Sequence, residues 1–240
     1  MDLTGYLGLG RGIGLQRAMD VLAVNVANVD TTGYRRQDLL FEQNLRRAGQ
    51  PGAVSFGEDR GTVVDQQEGP LRSTGGMLDL ALVGAGWFRV QTAEGDRLTR
   101  AGHFAKDAEG RLVTSTAAPL LDEAGAPLVL PIDARTITVA ADGTISADQV
   151  VVGRLGVVEP AAGAGLIPEG AGLYRTDAPL VAAGEARVVQ GSLEGSNVQP
   201  VAEMTRLIAV TRAFESTQKL LETHHDLARR TVDRMLSSSD

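Results

Sequence analysis

Apolar residues near the N-terminus recur with the spacing of a helix that packs against another helix. They are separated by alternating steps of four and three residues, and they comprise Leu15, Met19, Leu22, Val26 and Val29. This is the spacing of the a and d positions of a heptad repeat. Side-chain oxygens at Asn28, Asp30 and Thr31, followed by Gly33, predict a C-terminal cap and a turn.

The residues before this stripe weaken the predicted helix. Glycines alternate with other residues there, at Gly8, Gly10, Gly12 and Gly14. An interior glycine costs a helix roughly 1 kcal/mol relative to alanine. We therefore predict a first helix that is firm only from about Leu15.

A second heptad pattern lies at the opposite end of the chain. Ser196 or Asn197 as N-cap and Pro200 in the first turn indicate a helix that runs to about Met235. Apolar positions recur there at intervals of seven, at Leu207, Phe214, Leu221, Ala228 and Met235, and the intervening Val210, Thr217, His224 and Thr231 are mostly polar. Because so narrow a stripe stabilises an isolated helix poorly, we expect the two ends of the chain to meet each other or to meet copies in an assembly.

Between the two helices the pattern changes to a period of two. The run from Leu78 to Leu82 alternates, and turn signals recur at 107–110, 122–125 and 141–143 between short apolar runs. Strands are predicted at Arg111–Ser115, Pro127–Leu130, Arg135–Val139 and Val150–Val158. No helical pattern separates these runs, which excludes a parallel α/β sheet.

These patterns predict an α+β protein with a central antiparallel all-β domain, a distorted sandwich or barrel. N- and C-terminal α-helices flank this domain and pack as a coiled-coil-like pair in the assembly. We predict three segments: 1–61 holds the first helix, the turn and a linker arm, 62–190 the β-domain, and 191–240 a hinge and the last helix. The segment from Tyr34 to Arg47 is either a short helix or an extended arm, and Gly49 to Gly61 is predicted to be a linker.

Composition and charge narrow the function. With 43% hydrophobic and 22% charged residues the chain is too apolar to be wholly disordered. Residues 61–195 contain 17 acidic and 10 basic side chains, so the whole net charge of −7 lies in the middle. Nucleic-acid binders need a concentrated basic face, so we expect no nucleic acid as a partner. No apolar run approaches the roughly 20 residues of a membrane span.

The side chains that usually carry chemistry are scattered. The chain has no cysteine, and its three histidines are His103 and the adjacent pair His224 and His225, which point about 100° apart on a helix. Ser192, between Gly191 and Gly195, is one place too early for a nucleophile elbow, so this stretch is predicted to be a hinge. We predict no catalytic residues, no cofactor and no metal.

Three stretches of the chain carry a family resemblance. The first, 23–36, reads A-V-N-V-A-N-V-D-T-T-G-Y-R-R; the second runs from Leu78 through Trp87 to 114; the third, 195–214, begins G-S-N-V. In this order they resemble the signatures of the flagellar axial proteins, the rod and hook family. The first stretch departs from the family's usual form at Val24, Val26 and Tyr34.

The resemblance implies a non-enzymatic structural subunit of the bacterial flagellar basal-body rod. The short segment after the first helix favours a proximal rod member over the longer distal one. Implied partners are other proximal and distal rod proteins, copies of the chain itself and the flagellar type III export apparatus. The implied location is the periplasmic rod, reached without a cleaved signal peptide.

We expect the subunit interfaces to use the helix stripes and the signature residues. These are Leu15, Met19, Leu22, Asn25, Val26, Asn28, Val29, Thr32, Gly33, Tyr34, Asn197, Met204, Leu207, Ile208, Phe214 and Leu221. The terminal helices are expected to be fully ordered only against other subunits. Arg35, Arg36, Arg46 and Arg47 are expected to engage a neighbour's acidic β-domain.

Two other classes of protein stay open at this point. An extracytoplasmic hydrolase with a β-core would show a pocket of clustered, titratable side chains. A soluble adaptor for a partner helix would form a defined one-to-one complex rather than enter a tube.

Overall fold

The computed structural model describes residues 3–46, 54–161 and 164–237. Two long helices, α1 (Leu3–Ala27) and α2 (Pro200–Ser237), stand at the two ends of a series of short strands. The predicted α+β class with terminal helices and an antiparallel β-rich middle is confirmed. Among the described residues, no helix combines the length and the apolar character that crossing a membrane requires.

The chain divides into two compact units that interleave along the sequence. The helical unit comprises Met1–Ala27, Gln37–Thr62 and Gln199–Asp240, and the β-body comprises Asn28–Arg36 and Val63–Val198. The residues of the signature turn therefore belong to the β-body, although they directly follow α1. The three contiguous segments predicted above stay a prediction.

Helix α1 begins at Leu3, so it includes the glycines that were predicted to weaken its start. It ends at Ala27, so that Val29 lies in the following turn. The early start has a physical reason, because Gly8 and Gly12 are buried in the helix rather than exposed to solvent. Helix α2 begins at Pro200 as predicted.

The segment after the turn is extended. Strands β1 (Gln37–Arg46) and β2 (Val54–Val64) pair in a two-stranded sheet. Of the two alternatives for the segment from Tyr34, the extended arm is the one observed. The predicted linker from Gly49 falls partly on residues 47–53, which lie outside the described residues, and its second half is strand β2 rather than a linker.

The β-body is built from short antiparallel pairs. A six-stranded sheet has the order β13-β14-β6-β5-β12-β15, a three-stranded sheet the order β11-β10-β9, and three further pairs are β16-β4, β17-β3 and β7-β8. The strands are β3 (Leu71–Ser73), β4 (Leu80–Val83), β5 (Trp87–Thr92), β6 (Gly95–Thr99), β7 (Ala105–Lys106), β8 (Leu112–Val113), β9 (Ile137–Val139), β10 (Thr144–Ala147), β11 (Val150–Arg154), β12 (Val157–Pro160), β13 (Ile167–Gly170), β14 (Leu173–Arg175), β15 (Leu180–Ala182), β16 (Arg187–Gln190) and β17 (Ser192–Glu194).

Two apolar cores cover opposite faces of the six-stranded sheet. Side chains alternate along a strand, so the neighbours Trp87 and Phe88 of β5 point to opposite sides. Phe88 belongs to the larger core, which extends to Leu120 and Ile145. Trp87 belongs to a smaller core with Leu98, Tyr174, Val64 and Leu166. Strand β5 therefore has buried side chains on both of its faces.

Several predicted strands are shorter than expected. The run at Val150–Val158 is broken into β11 and β12, and Pro127–Leu130 contains only isolated bridges. In β4, Leu80, Ala81 and Leu82 are all buried, so the alternation seen in the sequence does not mark a solvent face. No sheet of the described residues closes on itself, so the barrel alternative is wrong. The predicted hinge at Gly191–Gly195 contains strand β17.

Candidate assembly surfaces

The two terminal helices pack against each other in antiparallel orientation. Leu221 packs on Gly8, the Thr211 hydroxyl lies 3.7 Å from the Met19 sulfur, and Nδ2 of Asn25 lies 3.3 Å from Oε2 of Glu203. Residue numbers on α2 fall as those on α1 rise, which fixes the direction. Each helix therefore covers the stripe of the other within one chain, which is the first of the two alternatives predicted for the ends of the chain.

The covered positions follow the predicted heptads. On α1 the buried and half-buried residues include Gly8, Gly12, Leu15, Met19, Leu22 and Val26, and on α2 they include Glu203, Leu207, Val210, Phe214, Thr217, Leu221 and His224; others, such as Ala18 and Ala213, lie beside these two sets. Steps of four and three alternate along both sets. The polar Thr217 is tolerated because its hydroxyl donates to the Ala213 carbonyl at 2.9 Å.

Substitution of the early glycines is expected to separate contact from helix propensity. A Cβ at Gly8 would lie 2.6 Å from Cδ2 of Leu221, whereas a Cβ at Gly10 meets no atom within 4 Å. We expect Gly10→Ala to stabilise the helical unit by roughly 0.5–1 kcal/mol. Gly8→Ala is expected to lose that gain, because Leu221 must move. Thermal unfolding followed by circular dichroism at 222 nm measures both; equal gains would contradict the close packing at Gly8.

Asn25 joins α1 to the first residue of the arm. It is fully buried; its Oδ1 accepts from the Gln37 N–H at 2.9 Å, and its Nδ2 donates to the Gln37 carbonyl at 2.8 Å. The side-chain amide thus replaces a strand partner for Gln37. Glu203, also buried, accepts from Nη1 of Arg206 at 3.1 Å. These contacts give Asn25, the first of the two asparagines in the first signature, a structural role in the helical unit.

Apolar side chains remain exposed on the opposite side of α2. Val201, Met204 and Ile208 are 79%, 51% and 55% exposed, and their spacing of three and four places them on one face. Further along the same face the residues are charged. On α1, Leu9 and Ile13 are exposed in the same way. Val201, Met204 and Ile208 form an exposed apolar patch on the side of α2 that α1 does not cover.

The turn after α1 is held inside the β-body. The Gly33 N–H donates to the Glu194 carbonyl at 2.8 Å, and the Arg35 N–H donates to the Tyr174 hydroxyl at 3.0 Å. Gly33, Tyr34 and Arg35 are all buried. The turn itself is closed by Thr31, whose hydroxyl donates to Oδ1 of Asn28 at 3.0 Å. The signature turn is therefore part of the fold of the β-body.

Arg35 enters a buried cluster of charges. Its Nη2 lies 2.7 Å from Oε1 of Glu194, and Nη1 of Arg100 lies 3.2 Å from Oε2 of the same carboxylate. The Trp87 ring lies 6.0 Å from the Arg35 guanidinium carbon and 5.4 Å from that of Arg100. Burial lowers the pKa of Arg100, and the charge of Arg35 acts in the same direction, although Glu194 opposes both. Burial also raises the pKa of Tyr174.

Asn197 links three chain segments at the edge of the β-body. Its Oδ1 accepts from the Arg36 N–H at 2.6 Å, and its Nδ2 donates to the Gln67 carbonyl at 2.9 Å and the Asp65 carbonyl at 3.4 Å. The Asp65 N–H in turn donates to the Arg36 carbonyl at 2.8 Å. The chain leaves the β-body after Arg36, returns to it before Asp65 and leaves it again after Asn197. The side-chain amide of Asn197 therefore joins the three segments at which the chain enters or leaves the β-body.

The predicted interface residues fall into three places. Leu15, Met19, Leu22, Asn25, Val26, Leu207, Phe214 and Leu221 lie at the contact between the helices; Asn28, Val29, Thr32, Gly33, Tyr34 and Asn197 lie in the β-body; Met204 and Ile208 are exposed. Arg35 and Arg36 are used within the chain, Arg36 by pairing with Asp65 at 3.3 Å. Residue 47 and the side chain of Arg46 lie outside the described residues.

Sequence reasoning missed the residues that receive the signature turn. Glu194 and Tyr174 carry no recognisable motif, and each is distant in sequence from Arg35. Gly8 and Gly12 were interpretable, because they continue the heptad stripe backwards from Leu15 in steps of three and four.

The β-body also carries a groove of about 590 Å³ beside β12 and β15. Its floor is apolar, with Val157, Leu180 and Val188. Two of the arginines at its rim are paired with carboxylates, Arg89 with Asp96 and Arg154 with Glu123. Glu123, Asp142 and Arg187 also line the groove, so charged side chains lie beside the apolar ones.

Family models match the chain in three consecutive regions. The flagella basal body rod protein model matches residues 7–35, the flagellar hook protein FlgE/F/G D1 domain matches 81–147, and the flagellar basal body rod FlgEFG protein C-terminal model matches 189–235. These regions fall in the order of the three stretches that carried the resemblance.

Full-length relatives agree with these matches. The chain is 38% identical over 241 residues to the flagellar basal-body rod protein FlgF of Caulobacter vibrioides, covering 98% of each chain. It is 36% identical to FlgF of Mesorhizobium japonicum over 90% of each chain, and 34% identical to the rod protein FlgG of Agrobacterium fabrum over 89% of this chain and 92% of the relative. Because this similarity extends over almost the whole length, the chain belongs to the flagellar basal-body rod family.

Proposed function

We propose that this chain is a structural subunit of the bacterial flagellar rod and occupies the proximal, FlgF-like position. The observation that carries the proposal is the exposed apolar stripe of Val201, Met204 and Ile208 on a helix whose other side is already covered. Similarity to FlgF relatives over almost the full length supports the position in the rod. A distal, FlgG-like position is the second candidate, because FlgG relatives match nearly as much of the chain.

The paired helices act as the assembly element. The α1/α2 pair forms a coiled-coil-like unit, since the covered positions keep heptad spacing, and the β-body forms a distorted sandwich around its two cores. The exposed stripe is the part that packs on copies of the chain and on other rod proteins. Of the sixteen predicted interface residues, Met204 and Ile208 are the ones best placed for direct contact.

The remaining parts of the proposal follow from the family. The subunit reaches the periplasmic rod through the flagellar export apparatus, and its role there is structural rather than catalytic. In this proposal the segments 1–61 and 191–240 contribute the assembly helices and 62–190 contributes the β-domain. The uneven charge supports this division, because the excess negative charge lies in 61–195.

A charge in the exposed stripe is expected to abolish assembly without unfolding the chain. Ile208 is 55% exposed, so Ile208→Glu removes little buried surface, and we expect the free energy of unfolding to change by less than about 0.5 kcal/mol. A carboxylate in an apolar subunit contact is left without a hydrogen-bond partner. In a strain that lacks the gene, we therefore expect the Ile208→Glu variant not to restore motility. The measurements are urea unfolding of the purified chain and swimming in soft agar.

Ser216→Glu is the matched control. Ser216 is exposed on the same helix but outside the stripe, and the substitution adds the same charge. We expect it to restore motility. Normal motility with Ile208→Glu would overturn the assignment of the stripe to subunit contact.

A further inference from the structure

The two edges of the six-stranded sheet differ in how well they exclude a further strand. At one edge, β13 contains Pro168, and its register with β14 shifts between Pro168 and Gly170. A proline and a bulge both hinder the addition of a strand to an edge. At the other edge, β15 consists of Leu180, Val181 and Ala182 and pairs with β12 without a register shift. The β15 edge therefore lacks the features that block β13.

The backbone of β15 presents hydrogen-bonding groups on its open side. The Ala183 N–H donates to the Val157 carbonyl of β12 at 3.1 Å. In an antiparallel pair alternate residues bond to the partner strand, so Val181 also faces β12, whereas Leu180 and Ala182 face away from it. Among the described residues, no strand pairs with β15 on that side. The N–H and C=O groups of Leu180 and Ala182 can therefore bond to one more extended segment.

The groove of about 590 Å³ lies beside this edge. Leu180, Val181 and Ala182 line it together with Val157 and Val188. Because side chains alternate along an extended segment, every second side chain of a bound peptide lies over this apolar floor. The groove thus favours a peptide with small or apolar side chains at alternate positions.

One arginine of the groove has no counter-charge. Arg89 and Arg154 each pair with a carboxylate. The Asp142 carboxylate is used in its own turn, where it accepts from the N–H and the hydroxyl of Thr144 at 3.0 and 2.9 Å. Arg187 is exposed at the start of β16, and within the described part of the chain no carboxylate lies at ion-pair distance from it. A peptide with one carboxylate is therefore complementary in charge to the groove.

We propose that the β15 edge and the groove form a docking site for an extended peptide of another protein, which adds a seventh strand to the sheet. Main-chain bonds to Leu180 and Ala182 provide affinity, and the apolar floor and Arg187 select the side chains. Strand β15 itself contains no carboxylate, so pairing of two copies through this strand leaves Arg187 without a counter-charge. The site uses no residue of α2, so it is independent of the exposed stripe that carries the proposed rod function.

Two fluorescein-labelled peptides are the probes, Thr-Val-Thr-Val-Thr-Glu and Glu-Thr-Val-Thr-Val-Thr, because the direction of the added strand sets which end meets Arg187. Each is titrated with the full chain and followed by fluorescence polarisation. We expect one of them to bind. Ala182→Pro is expected to weaken its binding about tenfold without lowering the urea midpoint of the chain, because the N–H that is lost faces away from β12.

The charge contact is tested on both partners. Arg187→Gln in the chain, or glutamine for glutamate in the peptide, is expected to weaken binding about threefold, and the two changes together no more than either alone. Arg135→Gln is the control, because Arg135 is exposed on the β-body outside the groove. We expect it to leave binding unchanged.

N-methylated peptides test the edge without altering the chain. Alternate N–H groups of a strand face its neighbour, so methylation of either the valine or the threonine amides is expected to abolish binding, and methylation of the other set to retain it. Equal binding of both forms, equal binding by Ala182→Pro and the parent chain, or no binding of either peptide at about 1 mM would overturn the inference. A dimer of the chain that Ala182→Pro dissociates in sedimentation would also overturn it, because the occupant is then a second copy.

Discussion

Gly33→Ala is expected to destabilise the β-body by about 2–5 kcal/mol. The φ angle of Gly33 is +68°, a conformation that costs an alanine roughly 1–2 kcal/mol. In addition, the new Cβ would lie 2.2 Å from the carbonyl carbon of Arg100 and 2.3 Å from the nitrogen of Ala101. Both are backbone atoms that cannot rotate away, so the turn must leave its seat. Urea unfolding followed by Trp87 fluorescence measures the loss.

Gly75→Ala separates the two terms. Gly75 has nearly the same conformation, with a φ of +72°, but a Cβ there meets no atom within 4 Å. It therefore reports the conformational cost alone, about 1–2 kcal/mol. A loss at Gly33 no larger than that at Gly75 would contradict the close approach of the turn to Arg100.

Gly33 also shows which part of the structure can be predicted from the sequence and which part cannot. The cluster of side-chain oxygens before it predicts a turn with a left-handed glycine, and this is correct because the signal is local. The second reason for glycine is the backbone of Arg100 against it, and no local pattern contains that information. The partner is the segment directly after β6, which is distant in sequence and which only the tertiary fold brings to the turn.

In helix α1, by contrast, the sequence pattern does contain information about a tertiary contact. The heptad of α1 continues through Gly12 to Gly8, and both positions are buried. Helix propensity alone predicts a frayed start, because glycine is a poor helix former. The contact with Leu221 outweighs this cost, since a residue without a side chain lets the second helix approach closely. The spacing was the better guide here, and propensity the weaker one.

Arg35 could not be placed from the sequence. Adjacent to an identical residue and near the turn, it was expected to face a neighbouring subunit. Its burial depends on the counter-charge of Glu194, which lies in β17, the last strand of the β-body. A buried arginine is rare without a partner, and nothing near Arg35 in the sequence announces one. The charge cluster is thus a property of the fold rather than of the signature.

Glu194→Gln is expected to destabilise the β-body by about 3–5 kcal/mol. The carboxylate is 1% exposed and is the only one within ion-pair distance of Arg35 and Arg100 among the described residues. It also accepts from the Gly69 N–H at 3.0 Å. Glutamine has the same shape but replaces one acceptor with a donor, and it leaves two buried guanidinium groups without a counter-charge. Urea unfolding of the full chain measures the effect.

Glu68→Gln is the control that separates the effect of burial from the effect of charge alone. The Glu68 carboxylate also raises the pKa of Arg100 through its charge, and it accepts from the Gly84 N–H, but Glu68 is exposed. Because water screens its charge, we expect a loss below about 1 kcal/mol. Equal losses of unfolding free energy for the two variants would mean that any nearby carboxylate stabilises Arg100. The burial of Glu194 would then have no effect of its own. A large loss at Glu194 alone would show that the two buried guanidinium groups depend on this one buried carboxylate.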